Sequence, residues 1–288
     1  MTSRIDYNNP RNTGALPLPY HYEMVADRGR VGAFKAAIER TCAGKVVLES
    51  GTGSGILSLL AARAGASAVY TFDLDPAVAA VAEVNITKSG LPNIRFALRN
   101  TLDVTLADLE DRRPDVVIAE NLSTWQVTEP QIVVLNHINR ELAKPTTVRL
   151  PARIFNTVEL VSSQYVFEDL VDIRTHYFEF SGVPGPTILS DPQVVAEVDL
   201  GEINTTSHHV GASVPVRHDG RLNGLRLTSP LEVHDGIMFA GSDSLMPPVV
   251  VPLPVDLSVR RGDTVRLDLA YDTDTSWEEF RCSAKVLR

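Results

Sequence analysis

Cysteine is almost absent: the chain holds two, Cys42 and Cys282, near opposite ends and without metal-ligand spacing. That excludes a disulfide scaffold and a cysteine-built metal site, so no metal is expected. Two isolated cysteines read as reduced thiols in a cytoplasmic protein. No apolar run approaches the ~20 residues of a membrane-spanning helix, so no membrane partner is expected. The opening stretch MTSRIDYNNPRNTG is polar and lacks the hydrophobic centre of a signal peptide. Basic charge is also in deficit, with 27 Lys and Arg against 36 Asp and Glu and a formal net charge of −9. A general nucleic-acid binder carries a basic face, so nucleic acid is not expected either. The acidic balance is compatible with a cationic substrate. Internal repeats and low-complexity tracts are missing as well. Hydrophobic residues are plentiful, at 44% of 288 residues, enough for one large core or two modest ones.

The most informative stretch is Val46-Val47-Leu48-Glu49-Ser50-Gly51-Thr52-Gly53-Ser54-Gly55-Ile56-Leu57-Ser58. An apolar run ending in a carboxylate reads as a buried parallel strand, and the residues from Ile56 to Ala62 read as the following helix. Glycines between them allow a tight turn and close backbone approach to a ligand. Some twenty residues on, the run Ala68 to Phe72 ends in Asp73, where a Rossmann-type unit places its ribose-binding acid. The spacing is GxGxG rather than the GxGxxG of dinucleotide sites, and it resembles the first motif of S-adenosylmethionine-dependent methyltransferases.

A helix over 31–42, inside an N-terminal helical segment 18–42, leads into strand 45–49, helix 55–64, strand 68–73, helix 76–88, strand 94–98, strand 115–119 and helix 130–143. That alternation predicts an α/β, Rossmann-like doubly wound sheet. Near Lys144-Pro145 and Pro151 the texture changes. Short β-branched runs punctuated by Gly, Pro, Asp and Asn predict an antiparallel, barrel-like second half. The expected division is 1–150 for cofactor binding and 151–288 for substrate binding or dimerisation.

The strand Asp115 to Ala119 delivers Glu120 to the carboxyl edge of the sheet, where such sheets bind ligands. Nine residues later Glu129 precedes Pro130, which suits a first helical turn. Paired acids on a loop leaving and rejoining the sheet can hold a planar guanidinium by bidentate bonds. Spacing alone leaves open that Glu129 only complements a helix dipole.

Further residues carry a family resemblance. His21-Tyr22-Glu23-Met24-Val25-Ala26-Asp27-Arg28-Gly29-Arg30-Val31 resembles the entry helix of protein arginine methyltransferases, H-x-x-M-L-x-D-x-x-R-T. Ala61 to Ala66 is similar to their A-A-x-A-G-A, and Asp256 to Asp263 to the L-x-V-x-x-G-[DE] run of their barrel. The family's double-glutamate loop has its acids nine apart, as Glu120 and Glu129 are. The resemblance covers most of residues 20–288. It implies S-adenosylmethionine as cofactor, with Arg30 on the methionyl carboxylate and Met24 beside the sulfonium. Glu49, Gly51, Gly53 and Gly55 would line the cofactor, Asp73 with Leu74 would hold the ribose, and Thr101, Leu102 and Asp103 would lie near the adenine. Glu120 and Glu129 would be catalytic, with Glu120 also touching the cofactor and His21 in the substrate site.

The departures matter too. The family's loop opens E-W-M-G-Y, whereas Asn121-Leu122-Ser123-Thr124-Trp125 follows Glu120 here. Its Thr-His-Trp loop corresponds to Ser242 to Val249, which holds neither His nor Trp. His234 falls outside that loop, and His208 and His209 read as structural. The dimerisation arm, near residues 163–190, is short, which leaves a homodimer as the expected assembly without fixing its surface. The expected activity is N-methylation of a guanidino nitrogen, with free arginine or a similar metabolite favoured over protein. The alternatives are a small-molecule N-, O- or C-methyltransferase of specialised metabolism and a non-catalytic cofactor-binding scaffold. Arg30, Asp73 and both glutamates together speak against the scaffold.

Overall fold

A computed structural model describes residues 17–287; the polar opening stretch and the rest of 1–16 lie outside it, as does Arg288. Two helices open the described chain, α1 (Leu18–Ala26) and α2 (Arg28–Thr41). They are separated by Asp27, whose ψ of 98° leaves the helical region and whose side chain accepts the Arg30 amide at 3.0 Å. The second helix therefore begins three residues before the expected 31: the N-cap, rather than the apolar spacing, sets the start.

The parallel half follows as β1 (Val46–Ser50), α3 (Ile56–Arg63), β2 (Ala68–Asp73), α4 (Pro76–Ser89), β3 (Ile94–Leu98), β4 (Val116–Ala119), α5 (Gln131–His137) and β5 (Val148–Leu150). Every residue of β1 is buried, as a strand covered on both faces by helices must be. The strand order is β3-β2-β1-β4-β5, all parallel. Strands run outward from β1 to β3, then the chain returns to lay β4 on the other side of β1. The carboxyl ends of β1 and β4 thus form the switch point at which such sheets bind ligands. The helix expected over 130–143 is α5 only as far as His137, and a π-helical turn, Ile138–Leu142, completes it.

The second half is antiparallel throughout: β6 (Arg153–Ser162), β7 (Val166–Phe167), β8 (Val171–Asp172), β9 (Tyr177–Phe178), β10 (Thr187–Ile188), β11 (Gln193–Asp199), β12 (Ser207–Pro215), β13 (Gly220–Thr228), β14 (Leu231–His234), β15 (Ile237–Phe239), β16 (Val249–Val259), β17 (Thr264–Asp272) and β18 (Arg281–Leu287). The long strand β6 organises it, pairing with β10 and β11 on one edge and with β13 and β14 on the other. Strands β12, β17 and β18 form a separate sheet, and the whole curls around one apolar interior.

The two halves share their cores. Ile154, Val198, Leu231 and Phe239 pack into the core of the parallel half, while Trp125 and Val127 are buried in the β core. Among the described residues no helix is long and apolar enough to cross a membrane. Both cysteines are free, and burial pushes their thiols up to about 11.

Candidate active site

A cavity of about 340 Å³ opens at the carboxyl ends of β1, β2 and β4, with α1 along one side. The glycine loop shapes its floor. Gly51 has φ of +77°, and a Cβ there would stand 2.8 Å from the Asn121 amide nitrogen. Gly53 has φ of +56°, and its Cβ would press on His21 at 3.2 Å. Both conditions demand glycine. The Gly53 amide donates to Asp73 Oδ2 at 2.7 Å, and Asp75 donates to the other oxygen at 3.0 Å, so the carboxylate is fixed at the end of β2. Gly55 lies behind this wall, where its left-handed φ of +86° starts α3.

Met24, Leu74, Thr101 and Leu102 also line the cavity, but Asp103 does not. It occupies the last position of a 3₁₀ turn, Thr101–Asp103, and is exposed. Three residues per turn splay the side chains about 120° apart, so the turn cannot aim all three into one pocket. Glu49 reaches the wall with its carboxyl engaged inward, accepting from Thr71 Oγ1 at 2.9 Å and from Ser58 Oγ. Burial raises Glu49 to about 8 despite those two donors, which favours its protonated form near neutral pH.

Opposite the glycine loop stand the two acids. Glu120, at the end of β4, accepts from Nε of the buried Arg30, while Arg30 Nη1 donates to the Met24 carbonyl at 3.0 Å. Glu129 lines the same cavity. Burial, with the charges of Glu120 and Asp274, pushes it up to about 8. The loop between the two acids is anchored on both sides. Ser123 Oγ accepts the amides of Thr128 and Glu129, each at 3.1 Å. Trp125, fully buried, donates from its amide to Ser229 Oγ at 2.8 Å and from Nε1 to the Thr157 and Thr228 carbonyls at 3.2 Å. Its ring meets Tyr271 and Phe280 edge-on at 5.3 and 5.6 Å. The indole thus plugs the acidic loop into the core of the other half.

The loop that aligned with Thr-His-Trp sits against α2 instead of presenting a histidine. Ser242 and Ser244 both donate to Asp27 Oδ2, at 2.6 and 2.8 Å, and Leu245 lines the cavity. His208 stacks on Tyr271 at 4.7 Å and His209 bonds Asp268 at 2.6 Å, both away from the cavity, as is His234. His21 is in its wall.

Comparison with known proteins gives this geometry its setting. A family model for ribosomal protein L11 methyltransferase (PrmA) matches residues 33–144. The arginine N(omega)-methyltransferase of Streptomyces achromogenes is 26% identical over 278 residues, spanning 89% of this chain and 77% of that one. An uncharacterised protein of Methanothermobacter thermautotrophicus is 31% identical over 237 residues, 82% of this chain and 86% of its own. The Trypanosoma brucei PRMT1 enzyme–prozyme complex with S-adenosylhomocysteine superimposes with a TM-score of 0.76 at 17% identity, covering 93% of this chain and 98% of that one. Over most of its length the chain is similar to an arginine methyltransferase. It is a methyltransferase that uses S-adenosylmethionine, and its fold is the family's Rossmann-like sheet joined to a curled antiparallel sheet.

The residues present fit that cofactor. Two glycines clear the floor where a Cβ would collide, and a fixed carboxylate stands at the end of β2. Two further groups in this methyltransferase's cavity escaped sequence reasoning. Leu245 and Asp274 come from loops more than a hundred residues away in the chain, where no local pattern marks them. A positive φ on a non-glycine residue, +57° at Asp274, is visible only in the structure.

Proposed function

We propose that the protein transfers a methyl group to a guanidino nitrogen of arginine, with free arginine or a small guanidino metabolite favoured over protein. The observation that carries this reading is that Glu120 and Glu129 enter one cavity beside the glycine cradle. The Streptomyces relative, by its name an arginine N(omega)-methyltransferase, supports the same acceptor. When bound, the cofactor supplies an electrophilic sulfonium methyl. Gly51, Gly53, Asp73, Leu74, Thr101 and Leu102 would hold it, with Met24 and Arg30 at the methionyl end and Gly55 shaping the turn behind them.

The chain's own part is orientation. A guanidinium has a pKa above ~12, so no side chain removes its proton in advance. Two carboxylates can bind its paired N–H donors, draw its charge toward those nitrogens and leave the third nitrogen facing the methyl group. Fixing that approach converts a bimolecular encounter into a positioned one. His21, beside Gly53, would border the acceptor. Residues 151–288 would form the substrate-facing and self-associating half, with the exposed β7–β8 hairpin as the contact for a second copy. Two free thiols, Cys42 buried and Cys282 half-buried, support a cytoplasmic setting.

The test is product analysis with variants. The purified enzyme with arginine should give a product whose added methyl lies on a guanidino nitrogen by fragmentation mass spectrometry. Glu120→Gln and Glu129→Gln should each lower kcat by about a hundredfold or more, because a buried charge loses its partner. Methyl transfer to oxygen or carbon, or full activity in both variants, overturns the proposal.

A further inference from the structure

Asp274 takes part in no motif, yet it stands in the wall of the acceptor cavity. It lies on the turn between β17 and β18, at the exposed mouth, while Glu129 lies deeper with its carboxyl withdrawn from water. The turn is tied to its surroundings at both shoulders. Thr273 N–H donates to the Thr206 carbonyl at 2.8 Å, and Thr275 N–H donates at 2.7 Å to the carbonyl of Val127. Val127 is two residues before Glu129, so the second bond registers Asp274 against that acid. Trp277, buried just beyond, roots the turn in the β core.

Charge then narrows what the cavity takes. Arg30 is committed to Glu120 and to the Met24 carbonyl. Arg99, also in the wall, is spent on Asp108 at 2.5 Å and on the Asp103 carbonyl at 2.9 Å. Beyond the Glu129 amide bond to Ser123, the carboxyl groups of Glu129 and Asp274 have no ion-pair or hydrogen-bond partner among the described residues. Two unpaired carboxyl groups, one deep and one at the mouth, suit an acceptor with a cation at each end. A guanidinium alone satisfies the first. A free amino acid with a guanidino side chain carries a second cation, its α-ammonium, four carbons away.

We propose that Asp274 is a specificity-determining residue that binds the α-ammonium of a free guanidino amino acid whose guanidinium lies at Glu120 and Glu129. This rests on the guanidino reading above and adds where the far end of the acceptor goes. Arginine within a peptide has no α-ammonium, so Asp274 selects against it by leaving a carboxylate unpaired.

The experiment compares kcat/KM for L-arginine, agmatine and Nα-acetyl-L-arginine. Agmatine keeps the amine and lacks the carboxylate; the acetylated compound lacks the ammonium. In D274N the arginine-to-acetylarginine ratio should fall about tenfold or more, through KM, and the agmatine-to-acetylarginine ratio should fall with it. D274G, which also relieves the left-handed backbone, should give the same collapse, which separates lost charge from a disturbed turn. Equal losses on all three substrates, or unchanged ratios, overturn the assignment of Asp274 while leaving guanidino methylation intact. If the wild-type enzyme methylates none of the three on nitrogen, the guanidino reading falls and this inference falls with it.

Discussion

Glu129 shows how one side chain can be tuned by where the fold puts it. Burial and two neighbouring acids raise it to about 8, so near neutral pH it is mostly protonated until a cation arrives. A guanidinium favours the carboxylate form and lowers that pKa, so binding should expel the proton. The sign follows: below about 8 arginine binding costs a deprotonation, and affinity rises with pH until Glu129 is ionised in the free enzyme. Calorimetry at pH 7, with S-adenosylhomocysteine present and in buffers of different ionisation enthalpy, should report release of about one proton per arginine bound. E129Q should release none. Proton-neutral binding by the wild type would show that Glu129 is not the group that meets the cation.

At the scale of elements, the cavity depends on segments that reach across the molecule. The loop Gly241 to Met246 bends tightly, with Gly241 at φ of +91°, and its two serines clasp Asp27. Asp27 also caps α2, the helix that carries Arg30. Against the pull of burial, the hydroxyls of Ser242 and Ser244 and the Arg30 amide hold Asp27 below the usual carboxylate range. Here two hydroxyls occupy the place where the family resemblance led one to look for a histidine. Removing both, in S242A/S244A, should loosen the cap and weaken S-adenosylhomocysteine binding about tenfold, since hydrogen bonds to a charged group contribute roughly 1.5–3 kcal/mol each and the cap retains the Arg30 amide. Titration calorimetry checks this; an unchanged Kd would mean that the serine pair does not position Arg30.

For the whole molecule the informative surface is the β7–β8 hairpin. Val166, Phe167, Val171 and Ile173 are between 43% and 54% exposed, and Leu170 is 86% exposed. The exposed apolar residues sit together on a ribbon of two-residue strands that adds nothing to either core. An apolar patch of this kind marks a contact surface, and the occupant proposed is a second copy of the chain. Light scattering on the wild type should give the mass of a dimer, and F167D/L170D should shift it to monomer. A wild-type monomer with full activity would remove self-association from the account.

The sequence by itself determined strands β1 to β4 to within a residue, while it offered no β5 and ran the last helix too far. Apolar strand runs, glycine punctuation and the acids that close β2 and follow β4 are local signals, read from a few neighbours, and they placed β1 to β4, Asp73 and Glu120. It also showed that the second half is β, because turn residues interrupt β-branched runs at short intervals. Tertiary structure alone decided the rest. Asp103 turns out of the wall because a 3₁₀ turn splays its side chains, and Glu49 spends its carboxyl on Ser58 and Thr71. Trp125 leaves its own half to fill the other's core, and Asp274 arrives at Glu129 from 145 positions along the chain. Contacts between distant segments depend on how two sheets pack, and no periodicity within either segment encodes that meeting.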